Sequence, residues 1–253
     1  MPVSAIIVAA GSSTRMGFDK LAVPLAGIPV LQRTLAAFLA AIMIDEIIVV
    51  CPPERWRLLG QVPTTTATPG GPEPCIVADG GGQNARATGG TGILPAAKPI
   101  RRVDGGASRQ DSVANGLAAL SPGTTLVAVH DGARPLIHPA DIDRCVHAAA
   151  THAAIALARR VTETLKRADP ADFCVASVSR EHLWLMETPQ VFGTDLLQTA
   201  YAELASRQLT VTDEVSALQA IGARVKFIES THPNPKITCP ADLALAAAIL
   251  TNR

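Results

Sequence analysis

Ser4-Ala5-Ile6-Ile7-Val8-Ala9-Ala10-Gly11 is the stretch on which the fold turns. It is a continuous apolar run closed by glycine, the form taken by a parallel strand covered on both faces. Downstream, Gly27-Ile28-Pro29 puts a proline where the first turn of a helix tolerates it, and Leu31, Leu35, Phe38 and Ile42 then fall on one helical stripe. A second apolar run, Glu46-Ile47-Ile48-Val49-Val50-Cys51, ends at Pro52-Pro53. Strand, helix and strand in this order predict a right-handed βαβ unit, and with it an α/β fold on a doubly wound, mostly parallel sheet.

The pattern continues outward from there. Ser108 is a natural N-cap for a helix with Val113, Leu117 and Leu120 on its apolar face. Thr125 to His130 reads as a strand running into Asp131-Gly132-Ala133-Arg134-Pro135, followed by a helix from Pro139 to Thr151 and a strand from Ala154 to Ala158. Val161 to Ser179 alternates β-branched residues on both sides of Ala168-Asp169-Pro170, which predicts a hairpin projecting from the sheet. Helices over Thr194–Ser206 and Thr212–Ile221, a strand over Arg224–Glu229 and a helix from Pro240 complete the reading. Between about Gly60 and Arg102 Thr, Pro and Gly dominate and only Cys75-Ile76-Val77-Ala78 looks strand-like, so this stretch is expected to be an insertion at about 62–99 in a single domain spanning 1–253.

Composition narrows the function. The 22 Lys plus Arg balance 22 Asp plus Glu, which disfavours a nucleic-acid coat protein or membrane-surface binder. Aromatic residues make up 3% of the chain, too few for stacking on nucleic-acid bases. The five cysteines form no Cys-x-x-Cys pair, as expected of reduced thiols in a cytoplasmic protein without structural zinc. No basic leader precedes the first apolar run, and no stretch approaches the ~18–20 apolar residues of a membrane span.

The loop after the first strand, Ala9-Ala10-Gly11-Ser12-Ser13-Thr14-Arg15-Met16-Gly17-Phe18-Asp19-Lys20, carries the strongest chemical signal. It is neither Gly-x-Gly-x-x-Gly nor a P-loop, because five residues separate Gly11 from Gly17 and no Lys-Ser/Thr follows. Small residues at a strand end nevertheless let backbone N–H groups close around an anion, and Arg15 and Lys20 could flank a polyphosphate. The alternative is an ordinary polar loop with surface charges. Asp131, at the end of the Thr125–His130 strand, could hold Mg²⁺ or simply form an Asp-Gly turn. His130 is expected to pack within its strand. Thr212-Asp213-Glu214 reads as a helix start with Thr212 as cap.

Taken together the segments resemble the 2-C-methyl-D-erythritol 4-phosphate cytidylyltransferase family. The resemblance rests on Ala9-Ala10-Gly11 through Arg15-Met16-Gly17 and Lys20; Gly105-Gly106 with Arg109, Asp111, Ser112 and Val113; and His130 to Pro135. It continues through Thr164-Leu165-Lys166-Arg167, Arg180, Leu183-Trp184, Thr188-Pro189-Gln190, Thr212-Asp213-Glu214 and Lys236-Ile237-Thr238 with Pro240, Asp242 and Leu243. It implies a Rossmann-like nucleotidyltransferase fold with a dimerisation arm at about 159–180. The implied reaction makes the CDP-alcohol and pyrophosphate from CTP and methylerythritol phosphate, with Mg²⁺.

The resemblance also implies roles. Arg15, Lys20, Arg180 and Lys236 would be catalytic, and Ala9, Ala10, Gly11, Gly106, Ser112 and Asp131 would bind the nucleotide. Asp131, Arg134, Thr164, Arg180, Thr188 and Lys236 would bind the alcohol phosphate, and Asp131 the metal. The arm would reach into a partner subunit, making a homodimer with shared sites. Three departures stand out: Ala107 where an acid is common; Gly132 where alanine is common, expected to loosen that turn slightly; and the long insertion just upstream of the cytosine pocket, which could cover it. The chain is also expected to lack a fused cyclodiphosphate synthase domain. A cytidylyltransferase for another polyol phosphate, such as ribitol 5-phosphate, and a non-catalytic nucleotide-binding module remain as alternatives.

Overall fold

The computed structural model describes residues 1–11, 16–60 and 98–252. The chain opens with β1 (Val3–Val8), a two-residue pair β2 (Pro24–Leu25) and β3 (Ile28–Pro29), then α1 (Val30–Ala40) and β4 (Glu46–Val50). A short α2 (Pro53–Leu58) precedes β5 (Ile100–Val103), α3 (Arg109–Ala118), β6 (Leu126–Asp131), α4 (Pro139–His152) and β7 (Ala154–Arg160). The hairpin β8 (Leu165–Ala168) and β9 (Cys174–Val178) leads to β10 (Trp184–Gly193), α5 (Thr194–Ser206), α6 (Glu214–Ala220), β11 (Lys226–Glu229) and α7 (Pro240–Thr251).

The main sheet has seven strands in the order β11-β7-β10-β6-β1-β4-β5. β1 pairs in parallel with β4 on one side and β6 on the other, while β10 runs antiparallel to both β6 and β7. From β1 the chain builds outward through β4 and β5, then returns to place β6 on β1's opposite side. That reversal opens a crevice at the carboxyl ends of β1 and β6, where open α/β sheets bind ligands.

Alternation along the strands supplies two cores. Val3, Ala5 and Ile7 of β1 join Ile47, Val49 and Ala128 in a layer with α1, α4 and Ala246 of α7. Ile6 faces the other way, with Ile48, Val127 and Val129, against α3, α5 and α6. Contact with α3 is close: a Cβ on Gly116 would lie 2.7 Å from Ile6 Cγ2, so this helix rides on β1 because residue 116 has no side chain.

The expected helices and strands are present among the described residues; α2 and the β2–β3 pair are additions, and four further differences stand out. Ile42 lies beyond the end of α1 and is 85% exposed, because the helix stops at Ala40 before its stripe completes. The cap of α6 is Asp213, whose side chain accepts from Ser216 N, rather than Thr212. β5 forms inside the stretch that reads as Pro/Gly-rich, and β10 is a ten-residue strand that went unread. Pro189 disguises β10, since proline argues against a central strand; the pairing with β7 shifts between Met186 and Gln190 to accommodate it. Cys75-Ile76-Val77-Ala78 falls outside the described residues.

The expected hairpin is present as β8–β9, a separate two-stranded sheet. Phe173 at its tip is 71% exposed, and Val175 and Leu185 are also exposed. No described helix is long and apolar enough to cross a membrane.

Candidate active site

A cavity of about 420 Å³ lies at the carboxyl ends of β1 and β6. One wall is Val8, Ala9, Ala10 and Gly11 with Met16, Lys20 and Leu21; the facing wall is Gly106 to Arg109 with Ser112, and Asp131, Ala133, Lys236 and Thr238 complete it. This brings together the first-strand loop, the Gly-Gly segment, the end of β6 and the segment before α7, four regions far apart in sequence.

Ala10 and Gly105 are fitted to one another: a Cβ on Gly105 would come within 2.2 Å of Ala10 Cβ. Gly106 is equally confined, its added Cβ falling 2.2 Å from Asp111 Cβ. The Gly-Gly pair therefore lets the chain lie flat against the first-strand loop and then turn into α3. Ser108 caps that helix in a reciprocal pairing with Asp111. Ser112 Oγ accepts from Gly106 N at 3.1 Å and donates to Ser108 O at 2.8 Å, closing the turn. The result is a small slot lined by backbone.

Asp131 sits at the centre of the charge. Its Oδ1 meets Arg109 Nε at 3.1 Å, its Oδ2 meets Lys236 Nζ at 2.8 Å, and Arg134 Nε stands 3.8 Å away. Burial would raise its pKa, but the charges of Arg109, Lys236 and Arg134 hold the carboxyl well below the usual carboxylate range. Arg109 and Lys236 pair with this carboxylate from the cleft lining, and Lys20 lines the same cleft. Lys20 Nζ donates to Ile237 O at 2.8 Å, reaching across to the segment that carries Lys236.

Behind the cleft stands a second tier. Arg109 makes a bidentate pair with the buried Glu214, at 2.8 and 3.0 Å, and Tyr201 Oη donates to the same carboxylate at 3.1 Å. Burial alone would lower the Arg109 pKa, but Glu214 and Asp131 raise it, so the guanidinium stays charged. Thr188 Oγ1 accepts from Asp131 N at 3.1 Å and bonds His130 Nδ1 at 2.9 Å. The other His130 nitrogen lies 3.3 Å from Arg134 O, which can only accept, so Nε2 donates and Nδ1 accepts from Thr188. Burial pushes His130 down to about 3, consistent with this neutral tautomer. Arg134 donates to Asn234 O at 2.8 Å and Met186 O at 3.1 Å, tying β6 to β10 and to the segment before α7.

Of the residues expected to form a site, Ala9, Ala10, Gly11, Lys20, Gly106, Ser112, Asp131 and Lys236 line the cleft. Arg134 and Thr188 are placed behind Asp131 and hold it through the contacts above. Thr164 and Arg180 do not line the cleft: both are exposed on the hairpin, where Arg180 donates to Thr162 O. Arg15 lies outside the described residues, as does most of the expected insertion. Arg109 and Glu214 went unassigned to the site. Arg109 belongs to the Gly105-Gly106 block, and Glu214 reads as a helix-start acid, a role that hides its long-range partner.

Gly132 does not loosen its turn. An added Cβ would lie 3.0 Å from Leu31 Cδ1, 3.1 Å from Val8 O and 3.2 Å from Ala9 Cβ, so the glycine allows α1 and β1 to close on the end of β6. Ala107 lines the cleft with no acidic side chain to offer.

The family described as IspD, 2-C-methyl-D-erythritol 4-phosphate cytidylyltransferase, matches residues 3–88 and 84–252. The enzyme of that name from Pelotomaculum thermopropionicum is 36% identical over 255 residues, covering 99% of this chain and 95% of the relative. Among solved structures, the 2-C-methyl-D-erythritol 4-phosphate cytidylyltransferase of Thermus thermophilus is 30% identical with a TM-score of 0.72, covering 99% of this chain and 100% of that one. The 4-diphosphocytidyl-2C-methyl-D-erythritol synthase of Anaerococcus prevotii is 26% identical with a TM-score of 0.75, covering 99% and 98%.

Proposed function

Since this chain belongs to the 2-C-methyl-D-erythritol 4-phosphate cytidylyltransferase family, a group of CTP-dependent nucleotidyltransferases of isoprenoid precursor synthesis, we propose that the cleft at β1 and β6 is where cytidylyl transfer takes place. A phosphate oxygen of methylerythritol phosphate bonds to the α-phosphorus of CTP. The bond from that phosphorus to the bridging oxygen breaks, and pyrophosphate leaves. The observation carrying the site assignment is the gathering of Arg109, Arg134 and Lys236 around one buried carboxylate at the switch point of the sheet, with Lys20 lining the same cleft.

The chemistry suits that arrangement. The nucleophile is already ionised at neutral pH, so alignment and charge neutralisation carry the rate, with no general base required. Cytosine fits the backbone-lined slot between Ala9-Ala10 and Gly106-Ser112. Lys20, with Arg15, neutralises the triphosphate and the leaving pyrophosphate. Lys236, now held by Asp131, is released to the attacking phosphate when the substrates enter; Arg134 and Thr188 keep Asp131 in place meanwhile.

The donor set fits Mg²⁺ bound mainly by phosphates. Asp131 is the only carboxylate among the described lining residues, and no described cluster of three His, Cys, Asp or Glu could cage an ion. Mg²⁺ commonly takes one or two carboxylates, keeping water and phosphate oxygens as its other ligands. Asp131 would hold it, and it would neutralise charge on the triphosphate oxygens.

Thr164 and Arg180 bind the alcohol phosphate from a partner's arm in a cytoplasmic homodimer. Support comes from their exposure and from the apolar residues Phe173 and Val175, which the hairpin leaves uncovered in its own chain. Pyrophosphate release from CTP and Mg²⁺, measured with methylerythritol phosphate and with ribitol 5-phosphate, tests the reading. Turnover with the first is expected; turnover with ribitol 5-phosphate alone would overturn it.

A further inference from the structure

Arg55 lies on α2, outside the cleft lining, yet its guanidinium holds the cleft's rim at two points. Nε pairs with Asp19 Oδ2 at 2.8 Å, and an Nη donates to the backbone carbonyl of Ala9. The side chain is buried, whereas Asp19's is 34% exposed. Ala9 and Asp19 stand on either side of the first-strand loop, so one planar cation ties the end of β1 to the residue before Lys20. A guanidinium suits this, because its fork presents donors to two acceptors at fixed angles.

The second oxygen of Asp19 extends the bracket. Oδ1 accepts from Leu21 N at 3.1 Å, so a single carboxylate fixes the backbone on both sides of Lys20. Leu21 is itself in the core, and its carbonyl accepts from Leu31 N at 3.1 Å. Ala9 N donates to Val50 O at 2.8 Å, and α2 begins three residues after Val50, so β4 and α2 together grip both flanks of the loop. The lysine side chain is a point charge on a flexible stem, and where its Nζ arrives depends on where its backbone is held.

We propose that Arg55 is a positioning residue for CTP: through Asp19 and the Ala9 carbonyl it sets the spacing between Lys20 and the backbone that faces the base. This rests on the cleft being the CTP site. Misplacing a phosphate-binding cation by about 1 Å costs catalysis without touching the chemistry directly. A buried ion pair kept only for stability would be replaceable by apolar atoms with no kinetic signature.

The test uses the full-length enzyme with Arg55→Met, Asp19→Ala, the double variant, and Lys20→Ala as reference. Each single variant is expected to raise KM for CTP roughly tenfold, with KM for methylerythritol phosphate changed by less than about twofold. The double variant should be no worse than the poorer single, because both remove the same bracket. Asp19 is partly exposed, so Asp19→Ala keeps the test open if Arg55→Met folds poorly. Unchanged CTP kinetics in Asp19→Ala, or equal losses for both substrates, would overturn the role of Arg55 while leaving the cleft assignment intact. If Lys20→Ala also left CTP kinetics unchanged, the cleft assignment itself would fall, and this role with it.

Discussion

The cleft at the ends of β1 and β6 and the β8–β9 arm both carry residues expected to handle phosphate, but in opposite surroundings. In the cleft, Asp131, Arg109 and Glu214 form a chain of ion pairs whose acidic members are almost wholly buried. On the arm, Arg180 is exposed and its bond goes to the backbone of Thr162. Charges in the cleft are pre-aligned by the fold before any ligand arrives. Those of the arm stand exposed, and Arg180 has no acidic partner among the described residues. On the proposed function, the nucleotide half of the site is built into one chain and the alcohol-phosphate half is completed by a partner's arm.

That contrast can be broken in several ways, beginning with the largest effect. Asp131→Asn should lower kcat by about 10²–10³-fold, since it removes the carboxylate that organises three cations; steady-state pyrophosphate release reads it. Next comes stability. Arg109→Met leaves Glu214 buried without its cationic partner and should cost about 3–5 kcal/mol in urea unfolding. Arg180→Met, on the arm, should stay within about 0.5 kcal/mol. Equal stability losses from the two would erase the distinction between a built half and an open half.

A smaller kinetic effect belongs to the arm. Arg180→Ala should raise KM for methylerythritol phosphate about tenfold with KM for CTP unchanged. The smallest effect lies at the cleft's lip, where Asp242 accepts from Thr238 N and Thr238 Oγ1, both at 2.7 Å. The hydrogen bond from the Thr238 side chain leads in holding its pKa down to about 2. A carboxylate with a depressed folded pKa stabilises above its unfolded value and loses that as pH falls through the folded one. Asp242→Asn should therefore cost about 0.5–1 kcal/mol at pH 7, with the difference from the parent fading as pH approaches 2. Thermal unfolding of the two proteins across that range checks the sign.

What the sequence discloses follows the same divide. β1, β4 and β6 are legible because strands buried on both faces are continuous apolar runs. The hairpin is legible because its alternation breaks at Asp169-Pro170. β10 is hidden by Pro189, and the Asp131–Arg109–Glu214 chain is hidden because Arg109 lies 22 residues from Asp131 and 105 from Glu214. Local pattern reports which face of an element is buried. It cannot report which charges the topology brings together, so Glu214 reads as a helix-start acid and Arg55 as nothing at all. The neutral balance of the whole chain is equally uninformative about a cleft that Lys20, Arg109 and Lys236 line with a single carboxylate.

The proposed division between a cleft complete in one chain and an arm supplied by another is tested most directly by mixing two crippled variants. Asp131→Asn has an intact arm and a broken cleft; Arg180→Ala has the reverse. Each is assayed alone at subsaturating methylerythritol phosphate, then after the two are unfolded together and refolded. Every mixed dimer should regain one site with the parent cleft and the parent arm, so activity should rise well above the mean of the separate variants. Activity equal to that mean would place Arg180 in the same chain as the cleft it serves, and would contradict the shared site.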